Sequence, residues 1–142
     1  MKEITQKTDI IVVGAGPIGI ELAIALERLG ANYLLLEAKQ IGAEFSRWPP
    51  STHFFSTPEH VALAGVPVHS LDQMPITGEQ YLAYLRTLVE MFNLKLKLYE
   101  PVTHIETAES RFVIHTDPLT GPRKYLAHKV VLATGGMARP RM

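Results

Sequence analysis

An α/β fold with a parallel sheet is predicted by three observations. Gly14-Ala15-Gly16-Pro17-Ile18-Gly19 stands between an apolar run at residues 10–13 and a helical pattern, which leads to a second apolar run at 33–36 closing on Glu37. Short extended pieces separated by turn residues occupy positions 102–127. A last apolar strand follows and ends in Ala133-Thr134-Gly135. The first observation is the strand–turn–helix–strand unit of a Rossmann-like dinucleotide-binding fold. The other two add a three-stranded antiparallel β-meander and one more strand, so residues 1–142 are expected to form one three-layer dinucleotide-binding domain.

The glycine turn carries its chemistry in its residues. Gly14, Gly16 and Gly19 allow a tight turn, close approach of backbone to a pyrophosphate, and close packing of helix on strand. Ala15, Pro17 and Ile18 complete the turn and open a helix whose free amides and positive dipole end face the phosphates. Glu37, with Ala38 after it, lies where a carboxylate accepts hydrogen bonds from a ribose diol. That carboxylate would repel a 2′-phosphate, so FAD or NAD is expected rather than NADP. Ala23 is small where the helix must lie close to the sheet, which fits either ligand.

The remaining elements follow in order. Residues 1–8 read as a polar lead-in. Ile20, Ala23, Ile24 and Leu26 recur at helical spacing, and Gly30 ends that helix as a left-handed cap would. The continuous apolar run 33–36 suits a parallel strand covered on both faces. Residues 38–76 are irregular, punctuated by Pro49, Pro50, Pro58, Pro67 and Pro75, yet carry Phe45, Trp48, Phe54 and Phe55. Those aromatics argue against disorder; they either wall a bound ring system or plug into the core.

Thr77 and Gln80 form a capping-box pattern, and Tyr81, Leu82, Leu85, Leu88, Val89 and Phe92 then make one apolar stripe suited to the core. Residues 94–98 alternate, as a strand near a sheet edge would. The meander strands are expected at 102–106, 111–116 and 124–127, and a final buried strand at 129–133 precedes Thr134-Gly135-Gly136.

Composition narrows the function classes. Lys+Arg and Asp+Glu are both 14, so no basic field points to nucleic acid. Cysteine is absent, which excludes disulfides and a redox-active cysteine pair within these residues. No apolar run reaches the roughly 20 residues of a membrane span, and residues 1–9 lack a signal-peptide pattern, so a cytoplasmic location is expected. The six histidines are scattered, and His104 and His115, on adjacent predicted strands, read as surface residues; no serine sits in a strand–elbow–helix setting, and Asp72 and Glu79 lack a partner for acid–base work. No metal site and no catalytic residue is therefore expected.

The order of these elements resembles the FAD-binding, N-terminal part of the two-dinucleotide-binding flavoproteins, the pyridine nucleotide-disulfide oxidoreductase superfamily. The meander in place of a crossover helix favours FAD over a plain NAD domain. Trp48-Pro49-Pro50, Phe54-Phe55-Ser56-Thr57 and Gly65-Val66-Pro67 resemble segments of bacillithiol-disulfide-reductase-like proteins, with a looser likeness to flavin-containing monooxygenases. The resemblance spans residues 8–140. It implies that Ala133, Thr134 and Gly135 touch the flavin nucleotide, that Trp48 and Thr52 fall near the flavin ring, and that Val102 offers backbone contacts to adenine.

Enzymes of that kind carry a second, NADPH-binding domain and a returning Gly-Asp segment, and only one glycine fingerprint is visible here. The expected fold is thus incomplete at its C-terminus. The expected function is the FAD-binding part of an NAD(P)H-dependent oxidoreductase, not competent for turnover alone. The missing domain or a partner chain, or a second copy meeting an exposed strand edge, would complete it. The competing readings are an NAD-binding dehydrogenase or regulatory domain, and a catalytically inert nucleotide-binding or assembly module.

Overall fold

The computed structural model describes residues 4–135, and Gly136 of the expected terminal turn lies outside the described residues. Its elements are β1 (Gln6–Val13), α1 (Pro17–Arg28), β2 (Tyr33–Leu36), α2 (Ala43–Ser46), α3 (Pro58–Val61), α4 (Gly78–Met91), β3 (Leu96–Lys97), β4 (Val102–Ala108), β5 (Arg111–Thr116) and β6 (Arg123–Leu132). The strands form one six-stranded sheet in the order β3-β2-β1-β6-β5-β4. β3, β2, β1 and β6 run parallel, and β6, β5 and β4 form the antiparallel meander.

Each face of the sheet has its own core. Ile20, Ala23 and Ile24 of α1 and Tyr81, Leu85 and Leu88 of α4 pack with Val12 and Leu35 on one face. On the other, Ile11, Leu34 and Leu36 pack with Ile114, Tyr125 and Ala127 of the meander, and Val102 lies against them. Helices therefore cover one side of the parallel strands and the meander closes the other, the three-layer arrangement expected. β3 takes the sheet edge, as its alternation suggests.

Two expectations are corrected. The first strand begins at Gln6, not after a lead-in, because Gln6, Lys7 and Thr8 pair with Tyr125, Leu126 and Ala127 of β6. The third meander strand and the final strand are one element, β6, which pairs with β1 along its length. Only residues 123–127 of β6 also pair with β5, so beyond Ala127 that side has no strand beside it among the described residues. The end of β6 is accordingly not buried: Val131 is 37% and Leu132 66% exposed.

The loop from 38 to 76 is ordered by α4. Phe45, Trp48 and Phe54 meet one another, and Phe45 and Phe54 meet Tyr81, with ring centroids 4.9–5.6 Å apart. The Tyr81 hydroxyl donates to the Val61 carbonyl at 2.8 Å, and the Tyr84 hydroxyl donates to Val66 O at 2.7 Å while accepting from Leu63 N at 2.8 Å. Among the two readings of the aromatic loop, these contacts favour the core. Thr77 and Gln80 close the capping box of α4 as expected.

Candidate dinucleotide site

The ends of β1 and β6, the start of α1 and the end of β2 meet at Gly14. The Gly14 amide donates to Leu36 O at 2.8 Å, and the Ala133 amide donates to Val13 O at 2.8 Å. Gly14 has φ +112°, and a Cβ there would lie 2.2 Å from Ala133 O. Neither the backbone conformation nor the space admits a side chain. At Gly19 a Cβ would lie 1.8 Å from Gly14 O, so α1 is pressed onto the turn.

Gly16 differs from both. A Cβ there meets nothing within 4 Å. It is the N-cap of α1, with extended backbone, and no side chain caps the helix. Pro17 fills the first helical position, where an amide would lack a partner anyway. Ile18 is 71% exposed beside this opening. An uncapped helix N-terminus facing open space is a site for an anionic group. The residues present therefore fit a pyrophosphate.

Glu37 is aimed at the turn. Its Oε1 accepts from the Ala15 amide at 2.7 Å and its Oε2 from the Lys39 amide at 2.9 Å, with Ala38 exposed between them. Each oxygen keeps acceptor capacity for a ribose hydroxyl. The Glu100 amide donates to Glu37 O at 2.9 Å, which brings the segment leading to Val102 alongside. Thr134 and Gly135 are exposed just past Ala133.

The other two expected residues lie in a different setting. Trp48 packs on Phe45 and Phe54, and a Cβ on Gly78 would lie 3.0 Å from its Cε3. Thr52 donates its hydroxyl to Pro49 O at 2.6 Å and its carbonyl accepts from the Gly78 amide at 2.9 Å. Among the described hydrogen bonds, neither reaches the glycine turn. The loop is tied there by Gly42, whose amide donates to Ala15 O at 2.9 Å.

Two clusters escaped the sequence reading. Glu100, only 2% exposed, accepts from Thr116 Oγ1 at 2.9 Å, from Arg123 at 3.0 Å and from the Tyr125 hydroxyl. Burial and the hydrogen bond to Glu100 push the Tyr125 hydroxyl up to about 12. The histidines, in turn, are not all scattered: His104 and His115 are cross-strand neighbours with Glu106 beside both.

A model of the pyridine nucleotide-disulphide oxidoreductase family matches residues 11–142. Bacilliredoxin reductase Bdr of Bacillus subtilis is 28% identical over 131 residues, which cover 92% of this chain and 39% of the relative. The solved bacillithiol disulfide reductase from Bacillus cereus superposes with a TM-score of 0.89 at 29% identity, over 96% of this chain and 42% of that one. A flavin-containing monooxygenase from Stenotrophomonas maltophilia gives 0.85 at 25% identity, over 92% and 39%. The chain thus spans about two fifths of the length of the proteins it matches.

Proposed function

Because the chain belongs to the pyridine nucleotide-disulphide oxidoreductase family, we propose that it is the FAD-binding part of an NAD(P)H-dependent flavoprotein oxidoreductase. FAD is the cofactor of this family's flavoprotein reductases and monooxygenases. Bound FAD supplies hydride chemistry between a nicotinamide and an acceptor. This chain's residues bind and orient it. The observation that carries the reading is the open Gly16 position between two glycines that admit no Cβ.

In this assignment Gly14, Ala15, Gly16, Pro17, Ile18 and Gly19 hold the pyrophosphate, and Glu37, with Ala38 beside it, holds the ribose. Ala133, Thr134 and Gly135 line the opposite wall, supported by the contact of Ala133 with Gly14. Val102 reaches the adenine end, supported by the bond from Glu100 to Glu37. Trp48 and Thr52 have no such support, since their contacts run to α4 and Pro49. The reductant's domain and the electron acceptor would be supplied by further residues or a partner chain. The free side of β6 beyond Ala127 is a place for such a strand or for a second copy.

The test is an absorbance spectrum of the purified chain, mass analysis of anything released on denaturation, and titration with FAD and NAD. The expected result is released FAD, or tighter binding of added FAD than of NAD. Preference for NAD, or binding of neither, would sink the reading.

A further inference from the structure

The outer face of the β4–β5 hairpin carries a cluster that the dinucleotide site does not use. Thr103 is an extra residue between the pairs Val102↔Thr116 and His104↔His115. Such a β-bulge re-aims the side chains beyond it. Val102 lies against the second core and Thr116 is buried. Past the bulge, His104, Glu106 and His115 share the opposite face, two by alternation along β4 and one across the ladder.

Their donor atoms all lie within 4.8 Å of one another. Nε2 of His104 lies 3.3 Å and Nε2 of His115 lies 3.4 Å from Oε1 of Glu106. The two rings stack with centroids 3.9 Å apart. Nε2 of His115 is buried and has no hydrogen-bond partner. Thr103 lies against the His104 ring. Its hydroxyl donates to the His115 carbonyl at 3.2 Å, so toward His104 Nδ1 at 3.3 Å it can only accept. A His104 ring that donates from Nδ1 in this pair turns its Nε2 lone pair toward a carboxylate oxygen. In that tautomer the nitrogen and carboxylate lone pairs face each other, and a cation between them makes the contact favourable.

We propose that His104, Glu106 and His115 bind one divalent transition-metal cation of the zinc class. Two imidazoles and a carboxylate are the donors such ions take, whereas calcium and magnesium favour all-oxygen sets. A tetrahedral site with bonds of about 2.0–2.1 Å has donor–donor edges of about 3.3–3.4 Å. Both N···O separations match that edge. Thr103 is the outer partner that orients the His104 ring. The stacked rings must splay to aim at one point, which the exposed His104 side chain permits. Water takes the fourth position, and the ion staples β4 to β5.

The test is calorimetric titration of the metal-free chain with Zn²⁺, with Co²⁺ as an optical probe of geometry. One Zn²⁺ per chain is expected at micromolar or tighter Kd, weakened about tenfold or more in His104→Ala and in His115→Ala. Glu106→Gln should weaken it by a smaller factor. The intense visible bands of tetrahedral Co²⁺ should appear in the parent chain and vanish in the double histidine variant. The His104 and Glu106 side chains are exposed, so unfolding midpoints of their variants in metal-free buffer should match that of the parent chain. Uptake only at millimolar metal, or micromolar uptake that survives the double substitution, overturns the proposal.

Discussion

The three glycines of the nucleotide turn have three different physical jobs, and substitution separates them. A methyl at position 19 would sit 1.8 Å from a backbone oxygen, which cannot move without breaking the turn. Gly19→Ala is therefore expected to cost about 3 kcal/mol of stability and to abolish cofactor binding. A methyl at position 16 meets nothing in the protein. Gly16→Ala should leave stability within about 1 kcal/mol, the loss reflecting a poorer N-cap. It should still weaken FAD about tenfold or more, about 1.4 kcal/mol, by filling the anion's space. Thermal unfolding measured beside FAD titration checks both. Equal stability losses in the two variants would refute the division of roles. The glycine turn and Glu37 were legible in the sequence because their contacts are set by short spacing within one strand–helix–strand unit. The Glu100 cluster was not legible, since its partners Thr116, Arg123 and Tyr125 come from two later strands and a lone glutamate reads as a surface charge.

At the scale of elements, the hydrophobic pattern located α1 and α4 because each buries a repeating face, and β1 and β2 because both of their faces are covered. It divided β6 because residues 123–127 and 128–132 have different neighbours on one side, although the backbone runs straight through. It set His104 and His115 on adjacent strands but gave them no carboxylate neighbour, because a bulge at Thr103 shifts the register that alternation assumes. The joint between β4, β5 and β6 rests on Glu100. Arg123 neutralises it from one side with a side chain that is 33% exposed, while Thr116 and Tyr125 donate from within. Arg123→Met would leave a buried carboxylate with neutral donors alone. A loss of stability is expected, below the usual cost of orphaning a fully buried charge because water reaches the arginine's place. Lys129→Gln, on the exposed part of β6, should change stability by less than about 0.5 kcal/mol. Urea denaturation of the two variants decides it, and indistinguishable midpoints would remove Arg123 from the account.

The whole molecule joins two cores through one sheet, and each core contains a tyrosine that keeps its proton. Tyr33 is 1% exposed and packs on the helical side, while Tyr125 is fully buried on the meander side. Burial is the main cause that raises both hydroxyls from 10.0 to about 12. The hydrogen bond from Tyr33 to Glu27 and that from Tyr125 to Glu100 act in the same direction. Since the folded values lie above the unfolded one, the stability tied to these protons is complete below the unfolded value. As pH rises from about 10 to about 12, the unfolded chain releases protons that the folded chain keeps. Each tyrosine then costs about 1.4 kcal/mol of stability per pH unit across that window. Alkaline unfolding should therefore be steep, with phenolate absorbance from the buried tyrosines appearing together with loss of tertiary structure. Burial raises Tyr81 of the helical core as well, so Tyr125→Phe removes one of three such protons and should shallow the pH dependence by about a third of their joint contribution. Smooth phenolate formation in a chain that stays folded past the unfolded value would show that the two cores do not hold these protons.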